Sequence, residues 1–302
     1  LVGEINMFRL FSAFVCILFS FLLCSSSAYV QNYSSFNNVV KTVSQKTTIK
    51  EPIKKSIKKV NNTINVSNLN GTEHEWYSMP GKNGSPPTMP PEIKYQLNTY
   101  NTYFLGDTSK KEIYLTFDEG YENGYTSKIL DILKANNVKA AFFVTTPYIL
   151  ANKDLVKRMA DEGNLVCNHT WRHKSMASLA TDKTAFNKEF TSVEDAYKSV
   201  TGLDMVKIFR PPMGKYSQLS LDETAKLGYK TIFWSFAYED WIPTKQPNPA
   251  ASQKKILDKT TDGSIVLLHA VSKTNTEILD SVLKGWKGMG YEIKSLDTLP
   301  KI

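Results

Sequence analysis

Cysteine is scarce: the 302-residue chain has three, and two of them, Cys16 and Cys24, fall in or beside an apolar leader. That leaves Cys167 alone in the rest of the chain, which excludes an intramolecular disulfide framework and leaves stability to a hydrophobic core. Cys167 stands in the apolar run Asn-Leu-Val-Cys-Asn and reads as a small buried hydrophobe. The apolar run from Leu10 to Leu23 is short of the roughly 20 residues that cross a bilayer comfortably. Met7-Phe-Arg9 precedes it and Cys24-Ser-Ser-Ser-Ala28 follows it. One positive charge, an apolar centre and a small-residue exit describe a secretory signal peptide over 1–28, and hence an exported protein. An uncleaved membrane anchor is the second reading.

Acids and large apolar residues are thin from 29 to 75. Seven lysines between Lys41 and Lys59 face the single acid Glu51. Such a stretch buries too little apolar surface to offset the entropy of ordering it, and is expected to be a disordered basic linker. Residues 1–75 carry half of the net charge of +8. A basic tether suits loose association with an anionic membrane face or an anionic wall polymer. Nucleic acid is the competing reading of a basic chain, and export and the lack of any nucleic-acid-binding motif argue against it.

What the sequence does have begins at Trp76. A Pro- and Gly-rich stretch to Pro91 reads as an extended arm over a domain surface, part of an arm spanning 76–110. From Ile113 to Phe117 a buried strand is expected. It delivers two carboxylates, Asp118 and Glu119, into a Gly-containing loop, and a helix follows from Thr126. In α/β folds ligands meet the carboxyl ends of strands at such places. An ordinary alternative is that the two acids solvate a turn or cap the helix.

The pattern repeats. Strands are expected at 139–145, 164–168, 207–210, 230–236, 264–268 and near 292–293. Helices are expected at about 154–162, 182–200, 219–227, 250–259 and 275–287, several of them stopped by a glycine. Strands alternating with helices of ten or so residues mean a parallel sheet. Six or seven such units in about 200 residues favour a closed or nearly closed barrel; a doubly wound open sheet is the alternative.

Three of the four histidines, His169, His173 and His269, follow apolar strands directly or lie just beyond them. His169 and His173 have i, i+4 spacing, and on one helical turn both rings would face the same way, as a divalent metal needs. Joined to the acids of the first loop, they would make a two-histidine, one-carboxylate site. Arg210, at the end of another strand, suits pairing with a buried carboxylate. Asp240 and His269 suit a carboxylate–imidazole pair in which the acid orients the ring and raises its pKa.

Five segments then stand in the order seen in polysaccharide deacetylases of the NodB type: Thr116-Phe117-Asp118-Glu119, His169-Thr170-Trp171-Arg172-His173, Arg210-Pro211-Pro212-Met213-Gly214, Asp240-Trp241 and Leu267-Leu268-His269. The chain resembles that family from about Ile113 to Leu296. Within it, Phe-Asp-x-Gly-Tyr-Glu-Asn-Gly-Tyr-Thr, the His-Thr-Trp-x-His form and Trp76-Tyr77 are most similar to the delta-lactam-biosynthetic de-N-acetylases, which act on muramic acid in the peptidoglycan of spore cortex. The resemblance implies a distorted (β/α)7 barrel forming one catalytic domain over 76–302.

It also implies roles. Asp118 would be the general base, positioned by Arg210, and His269 the general acid, supported by Asp240. His169 and His173, with Glu119, would hold a divalent metal such as zinc. The Met213 N–H would bind the oxyanion, and Trp241 and Leu267 would shape a pocket for the acetyl methyl. Two positions depart from the family pattern: Glu119 stands where a second aspartate is usual, and Met213 where an aromatic is usual. The implied partner is a peptidoglycan glycan strand, with an amidase acting beforehand to remove the stem peptide. The site of action is extracytoplasmic, in the wall or forespore envelope, and the protein is expected to be a monomer. Rival readings are a chitin or xylan deacetylase and a non-catalytic glycan-binding relative.

Overall fold

The computed structural model describes residues 69–299, Asn83 excepted; the leader and most of the basic linker expected from the sequence lie outside them. A parallel sheet with helices on its outside organises the described residues. Its centre is β3 (Glu112–Glu119), paired with β10 (Glu292–Lys294) over Glu112–Tyr114, with β9 (Ile265–His269) over Tyr114–Asp118 and with β4 (Ala141–Val144) over Thr116–Glu119. From β4 the order continues through β5 (Leu165–Asn168), β6 (Ile208–Phe209) and β8 (Lys230–Ile232) to β2 (Thr102–Tyr103). Bridges between Phe236 and Val266 and between Leu105 and Ser264 curl the far edge back toward β9. The result is a curled half-barrel of the distorted (β/α)7 type.

Alternation along the strands builds two cores. Ile113, Leu115 and Phe117 of β3 face outward with Phe142, Val144, Val266 and Leu268. The helices α1 (Thr126–Ala135), α3 (Lys153–Asp161), α5 (Lys183–Thr201) and α8 (Lys273–Gly288) pack on that side through residues such as Ile129, Leu133, Val156, Val193 and Leu283. Tyr114, Ala141, Phe143, Cys167, Ile208, Ile232 and Ile265 fill the interior. Period-2 geometry therefore sorts β3: its even positions point inward and its odd positions toward the helices.

Six further α-helices and strands complete the described residues. They are α2 (Thr146–Ala151), α4 (Met176–Leu179), α6 (Gln218–Lys226), α7 (Pro249–Lys259), β1 (His74–Glu75) and β7 (Lys215–Tyr216). β1 pairs antiparallel with β7, His74 opposite Tyr216. Structure is thus seen at Leu69–Glu75, ahead of the position 76 where the sequence reading opened the domain. Glu73 pairs with Lys215 at 2.9 Å, and Asn70 accepts the Leu219 N–H. No apolar period marks these polar residues; partners some 140 residues away hold them. Trp76 is buried, stacks on Phe233 at 4.4 Å and donates its indole N–H to the Trp234 carbonyl.

Candidate active site

At the carboxyl ends of β3, β5, β6 and β9 the interior opens into a cavity of about 800 Å³. Asp118, His169, His173, Met213, Trp241, Leu267 and His269 line it, so seven of the ten residues singled out from the sequence meet on one surface. Strand register does much of this. Asp118 is the Cα partner of Phe143 on one side and of His269 on the other.

Asp118 is buried and accepts a 2.7 Å hydrogen bond from the Arg210 guanidinium. Arg210 is fully buried. Its Nε donates to the Ile232 carbonyl and a second guanidinium nitrogen to the Phe233 carbonyl, and its plane lies 4.2 Å from the Phe143 ring centroid. Burial alone would raise the Asp118 pKa, but the charges of Arg210, His169 and His269 outweigh it and hold the carboxyl below its usual range. Asp118 is an anion at neutral pH.

His269 presents the opposite case. Burial lowers its pKa, yet the Asp240 hydrogen bond and charge, helped by Asp118, win and the net direction is upward. Asp240 is fully buried. It takes the His269 ring Nδ1–H at 2.7 Å and the His269 backbone N–H at 2.9 Å. Asn275, which the sequence reading missed, donates its amide to Asp240 and is itself held by the Tyr238 hydroxyl. Its one sequence signal is the Ser272-x-x-Asn275 cap of α8, six residues past His269. Trp241 stands edge-on to His269 at 5.3 Å and is about half exposed at the mouth of the cavity, as is Met213. Tyr121, Trp234 and Tyr238 complete the apolar walls.

The histidine pair does not sit on a helical turn. Thr170 and His173 both have left-handed backbone angles, φ +71° and +55°, and the segment is a tight loop. The loop nevertheless brings the two rings to 4.9 Å. His169 donates its Nδ1–H to the Arg210 carbonyl at 2.8 Å, which leaves Nε2 bare and 3.6 Å from Asp118. Burial pushes the His169 pKa down to about 4, and the His173 pKa is also lowered by burial. Two neutral imidazoles facing a cavity are the donor chemistry a divalent cation takes.

Glu119, expected as the third donor, is elsewhere. As an odd-numbered residue of β3 it points out of the interior, accepts from the Thr126 hydroxyl at 3.2 Å and lies beside Glu122 and Tyr148. Its other carboxylate oxygen is buried without a partner. Among the described residues no three His, Cys, Asp or Glu side chains are arranged to hold a metal ion. The residues present fit a cation through the imidazole pair and not through Glu119.

Three comparisons bear on this arrangement. Residues 105–232 match the family model described as polysaccharide deacetylase. The peptidoglycan-N-acetylmuramic acid deacetylase PdaA of Bacillus subtilis is 40% identical over 214 residues, 70% of this chain and 81% of that protein. The chain belongs to the polysaccharide deacetylase family. An uncharacterized 30.6 kDa protein of Geobacillus stearothermophilus is 46% identical over 74% of this chain and 84% of its own length. The solved structure of Bacillus subtilis PdaA, a family 4 carbohydrate esterase, superposes with a TM-score of 0.73 at 36% identity, covering 76% of this chain and 98% of that one.

In this polysaccharide deacetylase Met213 owes its place at the wall to its neighbour. Met213 has φ +58° and Gly214 φ +67°. A Cβ on Gly214 would lie 2.8 Å from the Trp234 ring. Glycine is required there by close approach as well as by conformation. The turn places Met213 and Gly214 on the cavity wall.

Proposed function

We propose that this protein is an exported hydrolase that removes the N-acetyl group from N-acetylmuramic acid in peptidoglycan, producing acetate and a free amine that can close to a muramic delta-lactam. The observation that carries the reading is the meeting at one cavity, on adjacent strands, of Asp118, whose pKa Arg210 holds low, and His269, whose pKa Asp240 raises, in a chain 40% identical to PdaA over 81% of that protein. Two titratable groups whose environments push their pKa values apart suit a division of labour between base and acid.

Asp118, held as an anion by Arg210, would take the proton of the attacking water. His269, its basicity raised by Asp240, would deliver a proton to the departing amine, without which the tetrahedral intermediate returns to amide. The Met213 N–H would stabilise the oxyanion, and Trp241 and Leu267 would enclose the acetyl methyl and exclude water beside it. A divalent cation, zinc by its preference for imidazole nitrogen, would be held by His169 and His173 and would supply polarisation of the acetyl carbonyl.

Extracytoplasmic action agrees with a wall-polymer substrate. No helix of the described residues is long and apolar enough to cross a membrane. Mass spectrometry of muropeptide-free glycan strands, before and after treatment with purified protein, tests the reading. Loss of one acetyl mass from muramic residues is expected, abolished by chelation and restored by zinc. Loss from glucosamine residues alone would overturn the substrate.

A further inference from the structure

The loop that carries both histidines holds a conformation its sequence does not favour. Thr170 is β-branched and left-handed, and His173 is left-handed three residues later; such angles persist where surroundings over-determine them. Each backbone N–H from 170 to 173 is committed. Thr170 donates to the Asn168 side chain at 2.9 Å, and His173 to the Thr170 hydroxyl at 3.0 Å. The two between go to one residue of helix α5. Trp171 donates to the Glu189 carbonyl and Arg172 to a Glu189 carboxylate oxygen, both at 2.9 Å. The other carboxylate oxygen takes the Arg172 Nε at 2.9 Å and a second guanidinium nitrogen at 2.8 Å.

Glu189 is fully buried, takes no part in the chemistry above, and has both carboxylate oxygens engaged by Arg172. Arg172 also lies over the Trp171 ring at 4.3 Å, which pins the middle of the loop to its own arginine. We propose that Glu189 is a positioning residue for the active-site loop, its buried carboxylate clamping Arg172 so that His169 and His173 stay turned toward Asp118. The role rests on the deacetylase reading, because it gives that reaction a preorganised imidazole pair. A carboxylate suits the task because it accepts a backbone N–H and a guanidinium fork together, which a neutral side chain matches poorly.

Two variants test it, Glu189→Gln and Arg172→Lys; the second keeps the charge but loses the fork. Three measurements are made on each: hydrogen exchange of the 170–173 amides without metal, zinc affinity by calorimetry, and kcat and KM for acetate release. The clamp predicts at least tenfold faster exchange at these amides than the average change elsewhere, at least tenfold weaker zinc binding, and a fall in kcat with KM within about twofold. Arg172→Lys should fall between wild type and Glu189→Gln. Should Glu189→Gln fail to fold, Arg172→Gln, altered on the more exposed side of the pair, gives the same readings. A shift in melting temperature with exchange at 170–173 changed no more than the rest of the domain would make Glu189 merely structural and overturn the proposal. Wild-type protein that releases no acetate would defeat the functional reading, while the metal-free exchange result still decides the clamp.

Discussion

Asp118 and Glu119 are neighbours in the chain and opposites in environment. Asp118 ends on the inner face of β3, ion-paired to Arg210 and held ionised. Glu119 ends on the outer face among Thr126, Glu122 and Tyr148. There burial first, and then the charge of Glu122, push its pKa well above the usual carboxylate range. Both are buried, so burial does not distinguish them. What does is the compensating charge: one carboxyl has a guanidinium at 2.7 Å, the other a second acid. One step along a strand turns an acid whose charge is supported, facing the cavity, into one whose charge is disfavoured, packed against a helix.

The sharpest way to break that comparison is to neutralise each acid in turn. Asp118→Asn keeps the shape and removes the basic oxygen, and kcat should fall by roughly 10²–10⁴, or about 3–5 kcal/mol of barrier, with KM little changed. Glu119→Gln should leave kcat within about threefold, because that side chain never reaches the cavity. Steady-state acetate release measures both. Equal losses in the two variants would mean that Glu119 reaches the reacting groups and that the two faces are not separate.

Asp240→Asn sharpens the acid side of the same site. The profile of kcat/KM against pH should be bell-shaped, its acid limb reporting Asp118 and its alkaline limb His269. In the native protein the folded His269 pKa lies above the ordinary value, so the ring keeps its proton to higher pH. Without the Asp240 charge that support is lost, and the alkaline limb should move to lower pH while the acid limb stays. Turnover at neutral pH should fall by about tenfold, less than for Asp118→Asn, because the ring itself remains. An unmoved alkaline limb would mean that His269 is not the group it reports.

Much of this was legible in the sequence, for physical reasons. Long periodic elements such as α5, α7, α8 and the central strands fall within a few residues of where hydrophobic spacing puts them. The two-residue strands β1, β2 and β7 were not legible, since their order comes from remote partners rather than local pattern. Glu119 is the instructive case. The apolar run suggested that β3 stops at Phe117 and that both acids share a loop. Pairing of Asp118 with Phe143 and of Glu119 with Val144 carries the strand two residues further. Alternation then separates the two carboxylates. The histidine loop misled in the opposite way: i, i+4 spacing suggested a helical turn, and the rings meet because Thr170 and His173 adopt left-handed angles.

The smallest expected effect is on stability, and it belongs to Glu119 alone. Its folded pKa is raised well above the reference 4.5, so the fold favours the protonated form. That preference contributes fully below the unfolded pKa and is lost as pH rises from there through the folded pKa. Glutamine has nearly the same shape and stays neutral, so Glu119→Gln should not show the loss. Urea midpoints of the two proteins should therefore lie close together at pH 4, and wild type should weaken relative to the variant as pH rises above about 4.5. Glu122 accepts from the same Thr126 hydroxyl and repels an ionised Glu119, so Glu122→Gln should reduce the gap by letting Glu119 ionise at lower cost. Parallel midpoint curves across pH 4–8 would mean that Glu119 is charged in the folded protein, and the contrast between the two faces of β3 would then lose its electrostatic half.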